Sequence, residues 1–75
     1  MKMKIYIIGI GLIGGSFAME MRKLFPNSTI IGIDKSENNI NKAYELGIID
    51  KKSCLSEISD ADIILVSVPV KSIIN

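Results

Sequence analysis

The chain has 75 residues, with 9 Lys and Arg, 8 Asp and Glu, no histidine and one cysteine. This length allows one small domain, and 48% hydrophobic residues with a net charge of +1 exclude a disordered tail. The balanced charge also lacks the clustered lysines and arginines of a nucleic-acid-binding protein. A lone Cys54 excludes an internal disulfide and a cysteine zinc site, and the missing histidine removes the commonest acid–base residue and metal ligand.

The first residues imitate a secretory signal peptide, because Lys2 and Lys4 precede an uncharged, mostly apolar stretch that runs to Met19. Four glycines interrupt this stretch, and the helical core of a signal peptide avoids glycine. The stretch is also shorter than the about 20 apolar residues that a membrane-spanning helix needs. The sequence therefore favours a cytoplasmic protein over a secreted one.

The chain begins with strand and helix signals in alternation. Residues 4–8 are rich in isoleucine and show no polar alternation, which is typical of a strand covered on both faces. Apolar residues then recur at helical spacing, and Pro26 ends the predicted helix. The predicted buried face of this helix consists of Ile13, Phe17, Met21, Leu24 and Phe25. Residues 29–33 predict a second strand, which closes at Asp34.

A second helix is predicted after that strand. Ser36 suits its N-cap, Glu37 suits its first turn, and Gly47 suits its C-terminal end. One face of this helix is traced by Ile40, Ala43, Tyr44 and Gly47.

The remaining residues complete the predicted sheet. Residues 48–52 are ambiguous between a loop and a very short third strand, and residues 55–59 predict one helical turn. Residues 63–68 give the clearest buried-strand signal, and Pro69 ends it.

The order β-α-β-α-β-β predicts an α/β fold, the first half of a Rossmann-type doubly wound parallel sheet. Its expected strand order is 3-2-1-4, which leaves the strand at residues 63–68 on an open edge. Such an edge is a template for pairing, so we expect a homodimer or another form of self-association through it.

The segment Gly9-Ile10-Gly11-Leu12-Ile13-Gly14 matches the pattern G-x-G-x-x-G between a strand and a helix. The first glycine permits a tight turn, the second lets a pyrophosphate approach the backbone, and the third lets the helix pack closely. The N–H groups of Leu12 and Ile13 would hold the phosphate charge at the helix N-terminus. The alternative is a plain glycine-rich turn.

Asp34 lies 20 residues after Gly14, where this fold brings a carboxylate to the adenosine ribose. The alternative is a solvated strand-end carboxylate or a cap for the helix that starts near Ser36. Together with the glycines, Asp34 predicts a dinucleotide site. The neighbouring Lys35 is either an adenosine contact or a solvated lysine.

The end of the last predicted strand is a further candidate, because ligands of open α/β sheets lie beyond the carboxyl ends of the strands. The candidates are Ser67, Val68, Pro69 and Val70, on the ribose and nicotinamide side. The alternative is a strand that simply ends at a proline. Ser16 is predicted to be a helix-surface residue and Cys54 a partly buried apolar one.

Residues 8–16, Ile-Gly-Ile-Gly-Leu-Ile-Gly-Gly-Ser, resemble the opening of the prephenate/arogenate dehydrogenases of tyrosine biosynthesis. Three further segments are similar to that family in order and spacing: Gly32-Ile33-Asp34, Ala43-x-x-x-Gly47, and Ala61-Asp62-Ile63 with Val68-Pro69-Val70.

This resemblance implies NAD as the cofactor and hydride transfer from prephenate or arogenate, with loss of a carboxylate. It also implies that the histidine and arginine on the substrate, and a helical dimerisation domain, lie outside these residues. We therefore expect residues 1–75 to be the N-terminal part of a dinucleotide-binding domain, without catalytic residues and inactive alone. The alternatives are an NAD-sensing regulatory module and another oxidoreductase, such as a β-hydroxyacid dehydrogenase or an imine reductase.

Overall fold

The computed structural model describes residues 3–67, apart from the side chains of Leu12 and Ile13. The elements, in chain order, are β1 (Lys4–Ile8), α1 (Leu12–Leu24), β2 (Thr29–Ile33), α2 (Glu37–Glu45), β3 (Lys51–Lys52), a 3-10 turn (Leu55–Glu57) and β4 (Ile63–Val66). All strand pairs are parallel, and the sheet order is β3-β2-β1-β4. The predicted Rossmann-type fold and strand order are confirmed.

The central strand β1 is covered on both faces. In its register, Ile5 lies between Ile30 and Ile63, and the residues 5–7 are at most 2% exposed. This explains why the strand shows no polar alternation in the sequence.

Helices cover one face of the sheet and loop residues cover the other. The larger core, between the sheet and the two helices, consists of Ile5, Ile7, Ile10, Ala18, Ile30, Ile40, Ala43 and Ile49. On the opposite face a smaller cluster of Tyr6, Ile31 and Ile33 packs against Ile58 and Ala61, which follow β3. The second face therefore has no helix over it within the described residues.

The buried face of α1 differs from the predicted one. Ala18 is fully buried, whereas Phe17 is 41% exposed and Leu24 is 62% exposed. The face predicted from the sequence consists of bulky apolar residues. In the structure, α1 approaches the sheet so closely that small residues, Gly14 and Ala18, face it. The prediction was wrong for Phe17 and Leu24.

The start and end of α2 follow the prediction. The Ser36 hydroxyl accepts a hydrogen bond from the Asn39 N–H at 3.2 Å, and Gly47 adopts a left-handed φ of 75°. Ile40 and Ala43 are buried, as expected. Tyr44 and Gly47, which the spacing places on the same face, are exposed.

The exposed Tyr44 ring lies against the Lys52 ammonium, 5.1 Å from the ring centroid.

The strand β4 ends at Val66, two residues earlier than predicted, although the Ser67 N–H still donates to the Ile8 carbonyl at 2.7 Å. Val68 lies outside the described residues. Among residues 3–67, β4 pairs with β1 alone, which confirms its predicted place at the edge, and Ile64 and Val66 are 48% and 60% exposed.

Of the two remaining surface predictions, for Ser16 and Cys54, one is confirmed and one is wrong. Ser16 is exposed, as predicted. Cys54 was predicted to be partly buried, which is wrong, because it precedes a 3-10 turn that contributes no buried residue. Over residues 3–67, neither helix has the length and apolar character needed to cross a bilayer.

Candidate functional site

The chain leaves β1 through a turn that requires glycine. Gly9 has a φ of 93°, and its N–H donates to the Ile33 carbonyl at 2.6 Å. A left-handed φ is costly for a residue with a Cβ, so the position favours glycine. The bond ties residues 9–11, hereafter the glycine loop, to the carboxyl end of β2.

Gly14 allows α1 to press directly on the glycine loop. A Cβ at this position would lie 2.0 Å from the Gly9 carbonyl oxygen and 3.0 Å from the Gly9 carbonyl carbon. Both atoms belong to the backbone and cannot rotate away. The close packing predicted for the third glycine is confirmed.

Gly11 is open where Gly14 is crowded. No described atom lies within 4 Å of a Cβ built at Gly11. The Gly15 N–H donates to the Gly11 carbonyl at 2.8 Å, so the earlier N–H groups of α1 precede the first intrahelical bond. The first turn of α1 contains no acidic residue, and its N-cap, Gly11, has no side chain to accept from those groups. An anion can therefore approach a positive helix end that has neither a capping side chain nor an acidic residue in its first turn.

The Asp34 carboxylate lies beside this loop and accepts two backbone hydrogen bonds. Oδ2 accepts from the Ile10 N–H at 2.6 Å, and Oδ1 accepts from the Ser36 N–H at 2.8 Å. The bond to Ser36 shows that the alternative role, at the start of α2, applies as well. Each carboxylate oxygen keeps a further lone pair, so these bonds still permit Asp34 to accept from ribose hydroxyls.

The carboxyl ends of β1, β2 and β4 bring Gly9, Asp34 and Ser67 to one edge of the sheet. Lys35 is exposed next to Asp34. The other predicted site residues, Val68, Pro69 and Val70, lie outside the described residues.

Sequence reasoning missed the role of Ile10 and Gly32. Ile10 is 4% exposed, and a Cβ at Gly32 would lie 2.7 Å from Ile49 Cδ1, 2.9 Å from Ile40 Cδ1 and 3.2 Å from Ile10 Cγ1. Three isoleucines therefore converge on one strand glycine. The available signal was a glycine inside an otherwise apolar strand, which often marks a close approach.

The parallel sheet, the crowded Gly14 and the open N-terminus of α1 define a nucleotide-binding domain of the Rossmann type. Residues 17–75 match the family described as "Prephenate dehydrogenase, nucleotide-binding domain". This match begins after the glycine loop, so it supports the classification independently of the glycines. The chain belongs to the prephenate dehydrogenase family.

Three similar proteins support this assignment. The prephenate dehydrogenase of Bacillus subtilis (strain 168) is 40% identical over 73 residues, which cover 95% of this chain and 20% of that protein. The crystal structure of A. aeolicus prephenate dehydrogenase, in complex with hydroxyphenyl propionate and NAD+, is 34% identical with a TM-score of 0.83. The crystal structure of Synechocystis arogenate dehydrogenase is 33% identical with a TM-score of 0.82.

These matches cover 95% and 96% of this chain, and 26% of each solved chain. The chain spans about a fifth of the length of the curated relatives it matches.

Proposed function

We propose that this chain binds the adenosine and pyrophosphate of NAD, as the N-terminal part of the dinucleotide-binding domain of a cytoplasmic dehydrogenase. The observation that carries the proposal is the pairing of an open Gly11 with a half-buried Asp34 carboxylate at one sheet edge. The first is accessible to phosphate, and the second can accept hydrogen bonds from ribose.

The roles of the residues follow from this arrangement. The pyrophosphate would lie over Gly11 and receive hydrogen bonds from the backbone N–H groups of Leu12 and Ile13, while Gly9 and Gly14 hold the turn in place. Asp34 would accept from the ribose hydroxyls, with Lys35 at the adenosine. Ser67, after the carboxyl end of β4, would lie toward the nicotinamide, and Val68, Pro69 and Val70 remain candidates from the sequence. When bound, NAD supplies the hydride acceptor.

We propose that the whole enzyme oxidises prephenate or arogenate with loss of a carboxylate. The named relatives above support this reaction class, and both substrates occur among their names. The 75 residues contain no histidine, so a proton-transferring histidine must come from elsewhere in the enzyme. We expect the isolated chain to turn over neither substrate with NAD; turnover by the purified chain would contradict the proposal.

Cofactor choice tests the site directly. Calorimetric titration of the chain should give tighter binding of NAD than of NADP, because Asp34 would face the additional phosphate with like charge. Lys35 softens this rejection, so the discrimination should be incomplete. Asp34→Ser should bring the two affinities closer. Asp62→Ser, at the amino ends of the strands, should leave their ratio unchanged. Equal affinities in the wild type would contradict the proposed role of Asp34.

We also propose that the chain self-associates through the open edge of β4. Among the described residues β4 pairs with β1 alone, so its outer backbone groups have no strand partner, and the exposed Ile64 and Val66 add apolar surface beside that edge. Sedimentation equilibrium should show a dimer in the wild type and a shift toward monomer in Ile64→Lys, which places a charge on the exposed strand. A folded wild-type monomer at high concentration would overturn this proposal.

A further inference from the structure

We propose that Asp34 is a positioning residue for phosphate binding, in addition to its role at the ribose. The inference rests on the proposed nucleotide-binding function and concerns how the protein shapes the site before a ligand arrives. Asp34 would hold the glycine loop in the conformation that presents Gly11 and the start of α1.

Two hydrogen bonds tie the glycine loop to the end of β2. The first joins two backbone groups, the Gly9 N–H and the Ile33 carbonyl, at 2.6 Å. The second joins the Ile10 N–H and Asp34 Oδ2, also at 2.6 Å. Of these two, the second depends on a side chain, so a single substitution can remove it.

The carboxylate is itself held in one orientation. Its other oxygen accepts from the Ser36 N–H at 2.8 Å, so a rotation of the side chain would break two bonds together. Ser36 in turn caps α2 by accepting from the Asn39 N–H. Asp34 therefore connects the glycine loop to the first turn of α2.

Ile10 is held by its side chain as well as by its N–H. It is 4% exposed and lies above Gly32, where it belongs to the larger core. With its side chain packed and its N–H bonded, Ile10 has little freedom, and Gly11 follows directly. If Asp34 were removed, the Ile10 N–H would lose a charge-assisted hydrogen bond next to the core, and the loop would gain alternative conformations.

Amide hydrogen exchange of the ligand-free chain tests the positioning role. Asp34→Ala should accelerate exchange of the Ile10 amide by about tenfold or more, with little change at the Ile30 and Lys4 amides. Matched controls are Asp50→Ala and Asp62→Ala, which remove carboxylates bonded to those two amides and should leave Ile10 protected. Unchanged exchange at Ile10 in Asp34→Ala would overturn the proposal.

The wild-type chain gives a check that does not depend on the folding of a variant. Its Ile10 amide should exchange slowly, as should the Ile30 amide, which also donates to a carboxylate. Exchange of Ile10 at the rate of an unfolded peptide would mean that the hydrogen bond does not hold the loop, and the inference would fail.

Two ligands separate positioning from ribose recognition. ADP carries both ribose hydroxyls, whereas 2′,3′-dideoxy-ADP carries neither but keeps the same phosphates. Asp34→Ala should weaken binding of the dideoxy ligand by about fivefold, and binding of ADP by more. A loss confined to ADP would overturn the positioning role and leave the ribose role intact. If the wild type binds neither ligand, the proposed function fails, while the exchange experiment still decides whether Asp34 holds the loop.

Discussion

Aspartate carboxylates accept backbone hydrogen bonds at both the amino and the carboxyl ends of the strands, but with different consequences. At the amino end, the Asp62 N–H donates to the Lys4 carbonyl at 2.8 Å while its carboxylate accepts from the Lys4 N–H at 2.7 Å. Asp50 repeats this pattern with Ile30, at 2.7 Å and 2.8 Å. Each aspartate therefore adds one rung to a parallel ladder where the strands begin.

At the carboxyl end, Asp34 accepts from two different segments, the glycine loop and the start of α2. The Asp34 carboxylate bonds to no strand N–H, and the backbone at Gly11 remains open to a ligand. The residue type therefore does not distinguish the two roles. What distinguishes them is whether the bonded N–H belongs to a strand or to a loop beside an open helix end.

At the carboxyl end, alanine substitutions of Gly14 and Gly15 should differ most in their effect on the free energy of unfolding. Gly14→Ala should lower the free energy of unfolding by about 3 kcal/mol, because the added Cβ meets the Gly9 carbonyl oxygen. Its matched control, Gly15→Ala, meets no described atom within 4 Å and should raise stability by about 1 kcal/mol. Chemical denaturation of both variants measures the difference, and equal effects would show that α1 does not press on the loop.

Asp62 tests the amino end. Asp62→Ala should lower the free energy of unfolding by about 1.5 kcal/mol, since the Lys4 N–H loses a charged acceptor. ADP affinity of the folded variant should match the wild type, because Asp62 lies far from the glycine loop along β1. Asp62→Asn keeps one acceptor oxygen and should recover part of the stability. A large loss of ADP affinity in Asp62→Ala would break the division between the two ends.

Substitution of Arg22 separates the two interactions of the Asp50 carboxylate, the ion pair with Arg22 and the hydrogen bond from Ile30. The Arg22 guanidinium lies 3.0 Å from Asp50 Oδ2, and the two side chains are 36% and 38% exposed. Solvent screening at this exposure limits the pair to about 0.5 kcal/mol. Arg22→Ala should therefore destabilise the chain less than Asp50→Ala, which also removes the acceptor for Ile30. Equal losses in denaturation would mean that the ion pair, rather than the added rung, is what Asp50 contributes.

Tyr6 lies on β1 between the two ends, and its effect should be the smallest. The hydrogen bond from the Ser59 backbone N–H lowers the pKa of Tyr6 from its usual value of 10.0. The folded state thus releases the phenol proton more readily than the unfolded chain. Its contribution to stability should grow as pH rises through the folded pKa, and should be lost as pH falls back through it.

Absorbance titration in a Tyr44→Phe background isolates Tyr6, since the chain has two tyrosines. Unfolding measured across the same pH range should show the alkaline gain in stability, and Tyr6→Phe should remove it. A Tyr6 titration at or above the usual value would contradict the assigned hydrogen bond.

The strands, caps and strand order could be predicted from sequence because they follow from local patterns. Isoleucine runs mark β1 and β2, Ser36 marks a helix start, and a parallel sheet with right-handed crossovers permits few orders. The buried face of α1 could not be predicted, because the distance between helix and sheet decides it. The bond between Asp34 and Ile10 was also out of reach, since it joins residues 24 positions apart.

Among the described residues, the two lateral edges of the sheet differ in what they offer to a second strand. At one border, β3 has only two residues, both exposed lysines, so it offers little backbone and a repulsive charge to an incoming strand. At the other border, β4 offers four apolar residues. Pairing of two β4 strands would occupy the apolar edge of both copies. The β3 strands, with their exposed lysines, would then form the two outer edges of the joined sheet. If the proposed pairing of β4 forms, it would be a closed twofold pair, because the β3 border offers little backbone to a third strand, whereas a chain with two apolar edges could extend into a fibre.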